Sequence, residues 1–265
     1  MLLKAIEAKI NEFVVSSPKN IVEELETLST PPTSSARLQL WDLPIVGVAS
    51  ADDPLWESFK RPDAVGPHHL TPQEWLPGAK SVISYFLPYT GRIREANRIK
   101  EVTATEWLYG RWEGEQFSEA LRKVIVELLA KAGYHAVAPA LDTRHEVVAL
   151  PSNWSERHAA FAAGLGTFSL SRSIITSLGS AGRCGSVITD LFLEPTPRAY
   201  TDINEYCTNC RVCAKRCPPQ AFTATYKDNA ICMGHISKEK EKYNPRYGCA
   251  KCQAGVPCEG RIPVR

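Results

Sequence analysis

Residues 207–222, CTNCRVCAKRCPPQAF, contain the most informative pattern of the sequence. Its four cysteines are separated by two, two and three residues, and a proline follows the fourth. Eight of the nine cysteines of the chain lie in this run or after it. This grouping indicates one dedicated region rather than thiols scattered through a core. The downstream members are Cys232, Cys249, Cys252 and Cys258.

The spacing C-x2-C-x2-C-x3-C-P is that of bacterial ferredoxins, in which three thiolates hold one [4Fe–4S] cluster and the fourth ligates another. Short spacings let one tight loop present three sulfurs, whereas the fourth cysteine has passed around a turn. Cys217 therefore predicts a second cluster, and the downstream cysteines complete both sites. We predict a first cluster on Cys207, Cys210, Cys213 and Cys258, and a second on Cys217, Cys232, Cys249 and Cys252.

Structural zinc is the plainest alternative, because paired CxxC units also bind zinc. Zinc sites usually separate their cysteine pairs by a longer loop, and a thioredoxin-like dithiol needs fewer cysteines. Disulfides suit small exported domains. Here the first residues, MLLKAIEAKINEFVV, carry charges that interrupt any apolar leader and have the spacing of an amphipathic helix. We therefore expect a cytoplasmic, reduced protein, and we interpret the isolated Cys184 as a small buried residue.

Composition restricts the function classes. Charged residues make up 23% of the 265 residues and apolar residues 44%, with no apolar run near the roughly 18 residues of a membrane span. The net charge is only +2 and the basic residues are scattered, which disfavours nucleic-acid binding. We expect a protein without a membrane segment.

The residues before the cysteine run have an α/β pattern. Short apolar runs at 43–50, 79–89 and 134–141 predict strands, and apolar spacing predicts a long helix over 116–133. A second helix is predicted to begin at Trp154, because Asn153 and Glu156 have the spacing of a capping box, and two β-rich runs follow within 173–195. Strand, helix, strand is the rhythm of an α/β layer structure. We place an α/β cofactor or substrate domain at 1–200 and the cluster domain at 201–265.

The cluster segment, with AGLGTFSLSRSIIT (163–176) and GSVITDLFL (185–193) upstream of it, resembles the epoxyqueuosine reductases and the corrinoid reductive dehalogenases. PGAKSVISYFLPY (77–89) and ERHAAFAAGLG (156–166) are similar to the same family, so that the resemblance spans about 40–262. It implies a nitroreductase-like α/β (α+β) domain that holds base-off cobalamin, and a ferredoxin-like domain with two [4Fe–4S] clusters. It also implies that electrons enter at the outer cluster and pass through the inner cluster to cobalt.

The chain departs from the family pattern at three places. Five residues separate Cys252 from Cys258 where the family has three, and Leu150 stands where the family has an acidic proton donor. The family's helical-repeat extension for tRNA has no counterpart before Arg265, so we expect a substrate other than tRNA. His158 and Glu156 are the nearest titratable candidates for a proton donor, although a helix cap and a packed histidine are the simpler interpretations.

Small residues in two turns could let a large planar or phosphate-bearing ligand approach the backbone. Tight packing between a helix and a strand is the alternative, and cobalamin itself rests on the resemblance alone. The candidate cofactor contacts are Gly164, Gly166, Thr167, Gly185 and Ser186.

Two functional hypotheses follow. In the first, the chain is an oxidoreductase whose clusters pass electrons to a cofactor or substrate in a cavity of the α/β domain, within reach of the inner cluster. Its partners are then an electron donor such as a ferredoxin or flavodoxin and a small-molecule ligand. In the second, the chain is a ferredoxin-like carrier or reductive activator that docks on a partner protein and performs no chemistry itself.

Overall fold

The computed structural model describes residues 2–34, 36–147 and 152–264. In these ranges the chain forms eight α-helices: α1 (Leu2–Ser16), α2 (Leu55–Ser58), α3 (Pro72–Trp75), α4 (Gly91–Ala96), α5 (Thr105–Lys131), α6 (Glu156–Ala162), α7 (Val212–Lys215) and α8 (Asn229–Tyr243). Its strands are β1 (Ile21–Val22), β2 (Leu38–Gln39), β3 (Ile45–Ser50), β4 (Ser81–Pro88), β5 (Ala136–Val137), β6 (Gly166–Phe168), β7 (Ile174–Thr176) and β8 (Gly182–Thr189). None of the described helices is long and apolar enough to cross a membrane.

The central sheet has four strands in the order β3-β4-β8-β5, and every neighbouring pair is antiparallel. Two smaller antiparallel pairs, β1-β2 and β6-β7, flank it. All eight residues of β4 are buried. A strand without an exposed face needs cover on both sides of its sheet, and helices supply that cover here.

The two faces of β4 pack against different helices. Tyr85 and Leu87 belong to one core cluster together with Phe117 and Leu121 of α5 and the apolar face of α1. The alternate residues, such as Phe86, belong to a second cluster with the alanine-rich α6 and several tryptophans. Successive side chains of a strand point to opposite faces, so one apolar strand serves both layers. The mixed α/β content predicted from the sequence is confirmed, whereas the division at residue 200 stays a prediction.

The helix predicted over 116–133 is α5, but it begins at Thr105, eleven residues earlier than its apolar spacing indicates. The Thr105 hydroxyl accepts hydrogen bonds from the backbone amides of Leu28, Ser29 and Thr30, at 3.2, 3.1 and 3.3 Å. The bonded residues are 75 to 77 positions apart in sequence, so the local pattern does not indicate this start of the helix. Gly133 has φ +86°, as expected for a left-handed residue after the helix.

The strand predicted over 134–141 is wrong for most of its length. Only Ala136 and Val137 pair with β8, and a 3₁₀ turn over Pro139–Leu141 follows at once. Proline has no backbone N–H to donate to a ladder, and its fixed φ suits the first turn of a helical segment.

A buried histidine lies in the second core cluster. His69 is fully buried, and neither of its ring nitrogens has a hydrogen-bond partner. It stacks on Trp154 at 5.6 Å between ring centroids and meets the Phe59 ring edge-on at 5.8 Å. Burial lowers the pKa of His69 to about 4, with smaller contributions from nearby charges.

We expect the stability of the protein to fall on mild acidification because of His69. Its folded pKa lies below the unfolded value, so the stabilisation is complete above about pH 6.5 and is lost as the pH falls towards 4. Between pH 7.5 and 5.5 His69 accounts for a loss of about 1 kcal/mol of unfolding free energy. Urea unfolding of the wild type and of His69→Leu at several pH values measures it. An unchanged pH slope in His69→Leu would contradict the assignment.

Candidate functional site

The eight cysteines of the C-terminal segment line two cavities. Cys207, Cys210, Cys213 and Cys258, predicted to hold the first cluster, line a small cavity beside the 169–175 loop. Cys217, Cys232, Cys249 and Cys252, predicted to hold the second cluster, line a large cavity of about 750 Å³. This division coincides with the division made from the spacing alone. The two ligand sets stay predictions.

The backbone of the cysteine loops turns sharply between the thiols. Asn209, Arg211 and Ala250 have φ values of +51°, +60° and +48°, in the left-handed region that side chains seldom adopt. Two of these residues alternate with the first three cysteines, and Ala250 follows Cys249 directly. Such turns fold a short loop around a centre, as a cluster with several ligands from one loop requires.

Three polar groups approach cysteine sulfurs. The Ala221 amide donates to Cys217 Sγ at 3.4 Å, and the Ser180 hydroxyl donates to Cys258 Sγ at 3.6 Å. Lys227 Nζ lies 4.0 Å from Cys252 Sγ. Donors of this kind stabilise thiolate ligands and adjust cluster potentials.

Burial raises the pKa of Cys213 and of Cys249 to about 12. As free thiols these side chains therefore hold their protons, and metal loading must release them. Across the described ranges, no three His, Cys, Asp or Glu side chains are arranged to hold a single metal ion.

Polar contacts hold the cluster segment against the α4–α5 corner. Asn97 is fully buried, and its amide donates to the carbonyl of Cys249 at 2.9 Å. Lys251, which is only 1% exposed, donates from Nζ to Asn97 Oδ1 at 2.6 Å. Arg246 forms a two-bond contact with Glu113 of α5, in which Nη2 lies 2.6 Å from Oε1. The second-cluster cysteines are thus fixed relative to the helix that lines the large cavity.

A buried charge network forms one wall of the large cavity. Arg122 of α5, 2% exposed, lies 3.2 Å from Glu115 Oε1 and 3.2 Å from Glu156 Oε1. Arg183 of β8 pairs with the second oxygen of Glu115. These residues come from α5, α6 and β8, so the network joins both layers of the domain.

Glu156 is the candidate proton donor that the structure brings to the cavity. Its Oε2 accepts a hydrogen bond from the Ser186 hydroxyl, and the Trp154 indole donates to the same hydroxyl at 2.9 Å. Burial raises the pKa of Glu156, although Arg122 and Ser186 oppose the shift. A carboxyl group with a raised pKa at a cavity wall is suited to general acid chemistry near neutral pH.

The predicted capping box is wrong. Helix α6 begins at Glu156 with Ser155 as its N-cap, and no side chain caps it. The Asn153 amide donates to the carbonyl of Arg144 at 2.8 Å instead. The Glu156 carboxylate is held by Arg122, because a buried guanidinium is a stronger partner than a backbone amide.

His158 lies away from the large cavity. Its Nδ1 is 2.7 Å from the Ser155 hydroxyl, and its ring packs on Phe59 and Phe168 with centroids 4.7 and 4.6 Å away. Burial lowers the pKa of His158 to about 3, so it is neutral near pH 7. Its surroundings favour the packing interpretation.

The small residues proposed as cofactor contacts do not line the large cavity. A Cβ on Gly166 would lie 2.0 Å from the carbonyl oxygen of Ile175, and one on Gly185 would meet the Tyr85 ring at 2.3 Å. Gly164 has φ +77° and ends α6. Thr167 is buried and accepts a hydrogen bond from the Tyr206 amide, and Ser186 acts through Glu156. Their placement favours tight packing.

Two other positions considered in the sequence are Cys184 and Leu150. Cys184 is half-buried on the cavity wall, and burial raises the pKa of its thiol to about 12. Leu150, which stands at the family's acidic position, lies outside the described residues. Arg122 is not among the residues predicted from the sequence, where its signal is a basic residue between Leu121 and Ile125 on the buried side of the long helix.

No protein-family model matches the chain. Among curated proteins, the epoxyqueuosine reductase of Bacillus subtilis (strain 168) is 27% identical over 215 residues, which cover 75% of this chain and 52% of that protein. A tetrachloroethene reductive dehalogenase of Desulfitobacterium hafniense is 28% identical over 155 residues, which cover 56% of this chain and 26% of that protein. The matched part of the chain thus spans about half the length of the first relative and about a quarter of the second.

A solved structure shows the same fold. The crystal structure of an epoxyqueuosine reductase with an epoxyqueuosine-modified tRNA stem loop superposes with a TM-score of 0.53 at 18% identity, covering 99% of this chain and 68% of that one. At that identity the likeness shows the fold alone. In sequence, the chain is similar to the epoxyqueuosine reductases and to a reductive dehalogenase, which agrees with the resemblance suggested by the cysteine run.

Proposed function

We propose that the chain is an iron–sulfur oxidoreductase in which two [4Fe–4S] clusters relay electrons to a cofactor or substrate in the large cavity. The relatives support a reductase of the iron–sulfur and corrinoid type in general. One observation carries the specific proposal: all four cysteines assigned to the second cluster lie on the wall of the large cavity, and none of the first four does. This arrangement makes the second cluster the inner one.

The large cavity is suited to a cofactor. Its volume of about 750 Å³ falls within the range of roughly 300–1,000 Å³ that is usual for small-molecule and cofactor sites. Its wall combines aromatic side chains, among them Phe86, Tyr89 and Trp107, with charged groups. When bound, the clusters would supply one-electron transfer and a corrinoid would supply a strongly reducing metal. A ferredoxin-like electron carrier would not need such a cavity, so we favour the hypothesis that the chain is an oxidoreductase.

The side chains of this protein have three roles in the proposal. Glu156 holds a proton at the cavity wall, and Arg122 and Ser186 fix the orientation of its carboxyl group. Leu150 cannot donate a proton, so Glu156 takes that role. Helix α8 covers part of the cavity with Met233 and Ile236, while only Tyr243 of its 15 residues is buried.

We further propose a ferredoxin or flavodoxin as electron donor and a small molecule as substrate. Cys210 is the most exposed of the eight cysteines and belongs to the small cavity, so the predicted first cluster lies nearer the surface. All cysteines are free, which suits the reducing cytoplasm. The basic residues form no stripe along the sequence, and nucleic acid is not among the proposed partners.

Anaerobic reconstitution tests this function in two steps. We expect roughly eight iron and eight sulfide per chain, as two clusters require. We then expect added cobalamin to shift to the base-off visible spectrum on binding. A full iron content without any spectral shift at high cobalamin concentration would favour the electron carrier instead. A zinc-containing protein without iron–sulfur absorbance would contradict both hypotheses.

A further inference from the structure

Arg157 is an unneutralised cation on the wall of the large cavity. Its side chain is exposed and lines the cavity. Its guanidinium donates to the carbonyl of Arg172. Within the described ranges, no carboxylate lies at ion-pair distance from it, whereas each of the three other arginines on this wall has one.

The other cations on this wall have partners. Glu115 and Glu156, the two carboxylates that line the cavity, are bound by Arg122 and Arg183, and Arg111 lies 3.7 Å from Glu115. Lys227 lies beside the sulfur of Cys252, and Lys251 donates to Asn97. Among the arginines of this wall in the described residues, Arg157 is therefore the one that no carboxylate contacts.

Two buried hydroxyl groups line the same cavity beside the Arg172 carbonyl that holds Arg157. Ser171 is 3% exposed and Ser173 is 8% exposed. The Ser171 hydroxyl donates to Ser173 Oγ at 3.2 Å, which leaves the Ser173 hydroxyl proton available for a further acceptor. An arginine and a free hydroxyl donor on one cavity wall can together bind a carboxylate or phosphate group.

We propose that Arg157, Ser171 and Ser173 form an anion site in the large cavity that binds a carboxylate or phosphate group of the ligand. The inference deepens the proposed function and rests on it for the reaction, but anion binding itself needs no corrinoid. Two sources share this chemistry: an acid group on the substrate, and the phosphodiester of a corrinoid nucleotide tail. Cys252 lines the same cavity, so the site would hold the anion in the cavity that the inner cluster shares.

The test compares an acid with its neutral match in cluster-loaded protein. We expect 3-phenylpropanoate to bind the wild type and to raise its unfolding midpoint, whereas 3-phenylpropanamide does neither. Arg157→Met should weaken acid binding at least tenfold, measured by calorimetry. Arg157→Lys should restore part of it, and Ser173→Ala should weaken it less than Arg157→Met. Arg61→Met, at an exposed arginine that pairs with Asp63 on the surface, is the matched control and should bind as the wild type does.

Cobalamin and cobinamide, which lacks the phosphodiester, separate the two sources. If the site holds the nucleotide tail, the wild type prefers cobalamin, Arg157→Met loses the preference, and bound cobalamin blocks the acid. If the site holds a substrate acid, both corrinoids bind alike in both proteins and the acid still depends on Arg157.

The proposal is overturned if the wild type binds neither 3-phenylpropanoate nor inorganic phosphate, or if Arg157→Met binds the acid as tightly as the wild type. It is also overturned if Arg157→Met changes only the potential of the inner cluster, because Arg157 would then neutralise the cluster. Iron content and the cobalamin spectrum are recorded on the same samples. Acid binding without a cobalamin shift would leave the anion site standing while the proposed corrinoid function fails.

Discussion

Cys217→Ser is expected to lower the iron content of the reconstituted protein from roughly eight to roughly four per chain. Cys217 lines the large cavity with three other cysteines and is absent from the small one, so its loss should remove the inner cluster only. Cobalamin added to this variant should no longer be reduced by an external electron donor. Iron analysis and electron paramagnetic resonance (EPR) of the reduced protein measure the change.

Cys184→Ser is the matched control, because Cys184 lies on the same cavity wall but belongs to neither predicted ligand set. It should keep all its iron. Loss of both clusters in Cys217→Ser, with the fold intact by circular dichroism, would show that the ligand sets are not independent. Full iron content in Cys217→Ser would remove this cysteine from the predicted ligands.

The second large effect is on stability. Arg122→Met should lower the free energy of unfolding by about 3–5 kcal/mol, because it removes a buried guanidinium and leaves the half-buried Glu156 carboxylate without its cation. The loss should be greater at pH 8 than at pH 5. The folded pKa of Glu156 already lies above its usual value, so the stability it contributes is complete at low pH and is lost as the pH rises through the folded pKa. Urea unfolding at both pH values measures it.

The double variant Arg122→Met with Glu156→Gln separates charge from packing. It should recover part of the lost stability and should lose the steeper pH dependence, because no buried carboxyl remains at position 156. Equal destabilisation of the single and the double variant at pH 8 would mean that Arg122 acts through packing. Glu156 would then not be destabilised by the loss of its cation.

The division of the eight cysteines between two cavities agrees with the sequence prediction, whose starting point was a local pattern. The spacing from Cys207 to Cys217 states how many sulfurs one loop can present, and the fourth cysteine requires partners further along the chain. The strand over 79–89 was predictable for a similar reason. A short apolar run bounded by turn residues indicates a buried strand, whichever strands it pairs with.

The wall of the large cavity was not predictable in the same way. Arg122 and Glu156 lie 34 residues apart and meet only after α5 and α6 have packed on opposite faces of the sheet. The capping box failed for this reason: its local pattern was correct, but a distant guanidinium competed for the same carboxylate. Arg157 has an ordinary position near the start of a helix, and its isolation from carboxylates is visible only once the cavity is formed.

The central claim is that the inner cluster and the ligand share the large cavity, and EPR of the cobalamin-loaded protein tests it most directly. The sample is prepared with cobalt in the Co(II) state and the clusters reduced. We predict that the cobalt signal is broadened or split by magnetic coupling to the inner cluster, and that the coupling disappears in Cys217→Ser. Independent cobalt and cluster signals in the wild type, with cobalamin fully bound, would contradict the claim.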